Sequence, residues 1–252
     1  MRRHYILLTF IVVALAAPAG AGIRYRFDSV TTGAQNSRLT GVAESEGKSF
    51  RMTVEHGDGL LFRDGTIVLS KDGGATVTVV NPGLESYTTL NLDQLLGGAT
   101  TLFKQIATLR DPKVDVRDAG DGGIVAGLKT TKTIANSSAD IDLDVMGKKS
   151  AMRITVSSTT WATTEIPADA GAFLQRRTSQ TGIDQLDKII AAHTTGAKGF
   201  PLRQVTTVHI IQGSRDQATT TTTTVSGIER KPIAAKEFEV PAGYRKIENP
   251  IR

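Results

Sequence analysis

Gly65-Thr-Ile-Val-Leu-Ser-Lys-Asp-Gly-Gly-Ala-Thr-Val-Thr-Val-Val-Asn-Pro-Gly-Leu-Glu-Ser-Tyr87 alternates short β-branched runs with the turn formers Lys71-Asp72-Gly73-Gly74 and Asn81-Pro82-Gly83. Apolar or threonine-rich runs of five to six residues between such turns fit antiparallel hairpins and nothing helical. The stretch therefore predicts a β-meander. Just upstream, Asp64-Gly65 marks another turn, and Phe50, Met52 and Val54 alternate with Ser49, Arg51 and Thr53. Ile23, Tyr25 and Phe27 alternate in the same way with Arg24, Arg26 and Asp28, the period of a strand with one buried face.

Downstream the period changes. Leu92, Leu95, Leu96, Ala99, Leu102, Phe103, Ile106 and Leu109 recur at three and four, the stripe of an amphipathic helix. Asn91 is its expected N-cap with Gln94 reaching back, and Asp111-Pro112 its expected stop. From 114 to 167 strand signals return, with turns expected near Asp118 to Gly123 and at Met146 to Lys149. A second helical stretch is expected from Asp169 to His193, bent near Gly182, with Ile183, Leu186, Ile189 and Ile190 on one face. Val205 to Gln212 and Ala218 to Ile228 form an expected hairpin around Gly213 to Asp216, and Phe238-Glu-Val-Pro241 a short closing strand. Six consecutive threonines, Thr219 to Thr224, suit a pleated strand on both faces. The order is α+β: a strongly curved antiparallel sheet, an incomplete β-barrel, covered by two helical segments.

Composition agrees with a folded chain and bounds its chemistry. Hydrophobic residues make up 39% and charged residues 22%, with only 5% aromatics and 25 glycines. The absence of cysteine excludes disulfides, thiol catalysis, zinc ribbons and iron–sulfur clusters. Arg2 and Arg3, the apolar run from Tyr5 to Ala17 and the small residues around Ala19 to Ala21 have the form of a secretory signal, residues 1–21, too short for a membrane span. Residues 22–252 are then expected to form one domain of a periplasmic or secreted protein with no transmembrane anchor. The net charge of +5, lowered by two when that segment is removed, carries no basic block, so nucleic acid is not an expected partner.

The stretch 65–87 and the closing Phe238-Glu-Val-Pro-Ala-Gly-Tyr244 resemble a family of secreted bacterial domains of unknown function, itself similar to the LolA and LolB lipoprotein carriers. The resemblance implies a half-barrel whose open mouth lies under helices, a shape similar to carriers that hold acyl chains. It supplies no catalytic residue. The expected function is non-enzymatic binding of a hydrophobic ligand or acyl chain; the alternative is a structural or partner-binding envelope protein with a filled core.

Candidate lining residues are Tyr25, Phe27, Phe50, Met52, Val54, Leu102, Phe103 and Ile106, the residues an ordinary core would also contain. Gly97 and Gly98, adjacent in the predicted first helix, cost about 2 kcal/mol relative to alanine and are read as a hinge in the cover. His56, His193 and His209 show neither an i,i+4 pair nor a His-Glu-x-x-His pattern, so neither a metal nor a catalytic role is assigned to them. His193 is read as a cation complementing a helix C-terminus. Asp140, Asp142 and Asp144 share one strand face but lack the glycine and glutamate of a calcium loop, and are read as a solvated face. No nucleophile elbow or phosphate loop occurs, and no cofactor is expected.

Overall fold

The computed structural model describes residues 22–59, 62–91, 105–166 and 183–248. Two meanders make up one sheet. The first comprises β1 (Ile23–Gly33), β2 (Ser37–Glu46), β3 (Ser49–Gly57), β4 (Ile67–Ser70), β5 (Thr76–Asn81) and β6 (Ser86–Asn91). The second comprises β7 (Ala107–Val125), β8 (Leu128–Val145), β9 (Lys148–Thr163), β10 (Phe200–Gln212) and β11 (Arg215–Arg230), with helix α1 (Asp184–Thr195) between β9 and β10. The long-range pairing of β1 with β11 joins them. A short β12 (Arg245–Lys246) adds to β6 in parallel, giving the order β12-β6-β5-β4-β3-β2-β1-β11-β10-β9-β8-β7.

This twelve-stranded mixed sheet, with one complete α-helix among the described residues, replaces the expected α+β architecture with its antiparallel sheet under two helical segments. The departure begins at Ala107. Gln105 and Ile106 are helical, but Ala107 to Arg110 already belong to β7, with Leu109 opposite Ile141. The strand then runs through the proline expected to stop a helix. A register shift between Arg110 and Lys113 and a left-handed Asp111 (φ 48°) let Pro112 pass, on an edge strand where its missing N–H breaks no ladder. Of the second expected helical stretch the described part is Asp184–Thr195, and residues 167–182 lie outside the described residues.

Asp118 to Gly123, expected to turn the chain, is a bulged part of β7, where Asp118 and Asp121 accept the amides of Gly120 and Gly123. The turn comes later, at Ala126-Gly127 (φ 48° and 80°), and Met146-Gly147 (φ 54° and 79°) closes the next hairpin. Two successive positive φ values are what a two-residue hairpin loop needs to match strand twist. Phe238-Glu-Val-Pro241 is likewise no strand. Residues Ala235–Phe238 make a 3₁₀ turn that buries Phe238, held by Arg51 of β3 donating to the Glu237 carbonyl (3.2 Å) and carboxylate (2.7 Å). The threonine run is strand as expected, forming the centre of β11.

No helix among the described residues is long and apolar enough to cross a membrane. Alternation divides the sheet into a core face and a reverse face. The core face is marked by Ile23, Tyr25, Ala43, Phe50, Phe200, Leu202 and Val225, joined by Ile166 from beyond β9.

Candidate functional site

Register places the five described strand residues of the expected lining on the core face. Tyr25 lies opposite Ala43, which lies opposite Met52; Phe27 lies opposite Gly41, which lies opposite Val54; and Ile23 reaches Phe50 through Ser45. The absence of a side chain at Gly41 is what admits Phe27, because a Cβ there would come within 3.0 Å of its ring and 2.2 Å of the Thr53 carbonyl oxygen. Tyr25, Phe50 and Val54 are only 1–2% exposed, whereas Phe27 and Met52 pack partly buried against this cluster. Ile106 is half-buried and stands apart, at a shallow depression by the β8–β9 end of the sheet that Leu143 and Ala151 also line. Leu102, Phe103, Gly97 and Gly98 lie outside the described residues, so neither the rest of the expected lining nor the expected hinge is placed.

Farther along the same face the packing opens into a cleft of about 330 Å³. Its floor is formed by Gln204, Thr206, Val208 and Ile210 of β10 and by Gln217, Thr219, Thr221 and Thr223 of β11, and Ala34 and Gln35 close one end. These are in-register neighbours: Thr206 opposes Thr221, and Val208 opposes Thr219. The hydroxyls are partly spent within the sheet, since Thr221 pairs with Thr31 at 2.9 Å and Thr223 with Ser29 at 3.0 Å. A threonine whose hydroxyl is satisfied sideways leaves its methyl to the cleft, so the floor is less polar than its composition. The cleft also continues the aromatic cluster, because Val225 is the next core-face residue after Thr223, as Phe27 is before Ser29. Sequence reasoning assigns none of these residues to a lining, because it looks for aromatic and large aliphatic positions. The signal that could have found them is the alternation of 219, 221 and 223 against that of 204, 206 and 208.

The Tyr25 hydroxyl is enclosed and has no hydrogen-bond partner among the described residues. An unpaired buried hydroxyl costs about 1–3 kcal/mol.

His193 ties α1 to the core face. Its Nε2 lies 2.8 Å from Ser137 Oγ of β8 and its Nδ1 2.8 Å from Ser158 Oγ of β9, both serines being buried. A neutral imidazole satisfies both, donating to one serine and accepting from the other. Burial lowers the pKa from its ordinary 6.5, so this residue is no helix-capping cation. The two serine contacts make the imidazole a polar staple between α1 and the sheet. The unfolded chain takes up the proton first, so the staple's contribution is whole above about pH 6.5 and lost as pH falls below it. Thermal melts from pH 7.5 to 5 are expected to show a steeper fall for the wild type than for His193→Gln; parallel curves would remove the staple from the pH dependence.

The other aspartates and histidines named in the sequence make local pairs. Arg153 donates to both oxygens of Asp140 (2.8 and 2.9 Å), and its hydrogen bonds hold that carboxyl below the usual range. Arg110 binds Asp142, and Asp144 accepts the Gly147 amide in the hairpin turn. His56 sits exposed between Asp58 (3.2 Å) and Asp64 (3.6 Å), and His209 pairs with Asp216. Among the described residues no group of three or more His, Asp or Glu is disposed to hold a metal ion.

The description "Domain of unknown function (DUF4412)" is that of the family matching residues 46–244. No curated protein matches. Among solved structures, an uncharacterized conserved protein from Thermus thermophilus is similar at 10% identity and a TM-score of 0.40, with 91% of each chain covered. A LolA superfamily protein from Nitrosomonas europaea is similar at 8% identity and a TM-score of 0.33, over 88% of this chain and 91% of that one. At such scores neither likeness carries weight for fold or function.

Proposed function

The chain belongs to the DUF4412 family, and we propose that it is an exported, non-enzymatic protein that shelters a hydrophobic ligand, an acyl chain, on the core face of its sheet. The observation that carries this reading is the cleft of about 330 Å³ on the core face of β10 and β11, whose lining residue Thr223 is two positions along the strand from Val225 of the core. Concave, mostly apolar sites with a few placed polar groups are the usual form of small-ligand pockets, and this volume lies at the lower end of their range. Phe27, partly buried against the cluster and next on the core face of β1 to Ser29, which is bonded to the cleft residue Thr223, is the lining residue best placed to move aside. Residues 1–21 supply the export signal, and cleavage near Ala21 leaves a periplasmic or secreted domain beginning at Gly22.

The near-complete burial of Tyr25, Phe50 and Val54 favours a second reading, a structural or partner-binding envelope protein whose core is filled by its own side chains. Native mass spectrometry of protein taken from its own cell envelope separates the two. The acyl-chain reading predicts a retained lipid mass on a chain lacking residues 1–21; a ligand-free mass throughout supports the filled core.

A further inference from the structure

The unpartnered Tyr25 hydroxyl lies at the closed end of the core face, where the phenol stands edge-on to Phe200 with ring centroids 5.2 Å apart. Phenylalanine would fill the same space without an orphaned polar atom, so a tyrosine here calls for a partner. Burial pushes the phenol's titration upward, leaving a neutral O–H that has a proton to donate. Its core-face neighbours along and across the strands are apolar, Ile23 and Phe27 on β1 and Ala43 opposite on β2, and the buried Ser45 opposite Ile23 makes no hydrogen bond to it. A buried donor without a partner, among mostly apolar neighbours, suits an acceptor carried by an apolar ligand.

Resting on the acyl-chain reading of the cleft, we propose that Tyr25 recognises the carbonyl oxygen of an acyl ligand, donating a hydrogen bond to a free carboxyl or an ester while the chain lies along β1 toward the cleft. The core face of β1 runs Tyr25, Phe27, Ser29, Thr31, and Thr31 is hydrogen-bonded to the cleft residue Thr221. Six residues of strand span about 20 Å, a length that suits a long hydrocarbon chain rather than a compact polar molecule. Entry passes Phe27, whose ring is only partly buried.

The test is displacement of the fluorescent probe N-phenyl-1-naphthylamine from purified wild type and Tyr25→Phe by palmitic acid, methyl palmitate and cyclodextrin-carried hexadecane. Tyr25→Phe is expected to weaken displacement by acid and ester about tenfold and to leave hexadecane unchanged. A loss confined to the acid, or shared by the ester, tells a carboxyl from a general carbonyl site, and either supports the proposal. Equal displacement from both proteins by all three compounds overturns the role of Tyr25 while leaving the acyl-chain reading standing. Failure of every compound to displace probe from the wild type overturns both.

Discussion

Phe200→Ala is expected to lower folding stability by about 3–5 kcal/mol, the cost of removing a large aromatic from a well-packed interior. Phe200 is fully buried at the first position of β10, directly after the connection that returns from α1. Its ring meets Tyr25 at an interplanar angle of 77°, an edge-on arrangement that adds about 0.5–1.5 kcal/mol beyond area burial. The two residues belong to β10 and β1, strands separated only by β11, so the contact helps to lock the joint between the meanders. Domains of ordinary stability have about 5–15 kcal/mol in total, so the variant loses a large part of its margin. Urea unfolding followed by circular dichroism measures the change. A loss of less than about 1.5 kcal/mol would mean that the Tyr25 end of the core is loosely filled.

Much of the sheet is legible from local signals. Gly65 to Tyr87 declares its hairpins through Asp72-Gly73-Gly74 and Asn81-Pro82-Gly83, and β1 and β3 declare their buried faces through Ile23, Tyr25, Phe27 and Phe50, Met52, Val54. Each depends only on neighbours in the chain. The β7 start is illegible for a physical reason: Ile106 and Leu109 satisfy a helical spacing, yet Leu109 is held in a strand by pairing with Ile141, thirty-two residues away. Asp118 to Gly123 has the composition of a turn, but its aspartates cap local amides inside bulges, an alternative use of the same chemistry. Phe238-Glu-Val-Pro241 looks extended in sequence, whereas burial of Phe238 over β3 and the Arg51–Glu237 contact favour a tight turn. The union of the meanders is equally non-local, since nothing within β1 names β11 as its neighbour. The cleft depends on that union: Thr31 and Ser29 come beside Thr221 and Thr223 only once the first strand has met the last long one.

If a ligand binds in the opening on the core face of β10 and β11, filling that opening must weaken binding. Thr206 lines the cleft, opposite Thr221, and is half-buried, so a larger side chain there projects into open volume rather than into the packed cluster. An indole at this position occupies a large share of about 330 Å³. Tryptophan is also well tolerated in strands. The adjacent Thr207 faces the reverse side, where it pairs with Thr220 at 2.9 Å, and makes the matched control. The measurement is equilibrium binding of a fluorescent fatty acid to wild type, Thr206→Trp and Thr207→Trp, each first shown to be folded by its thermal melt. The predicted result is a loss of affinity of at least about tenfold in Thr206→Trp alone, equivalent to about 1.4 kcal/mol or more. Binding by Thr206→Trp as tight as that of the wild type and of Thr207→Trp would place the ligand elsewhere than in this cleft.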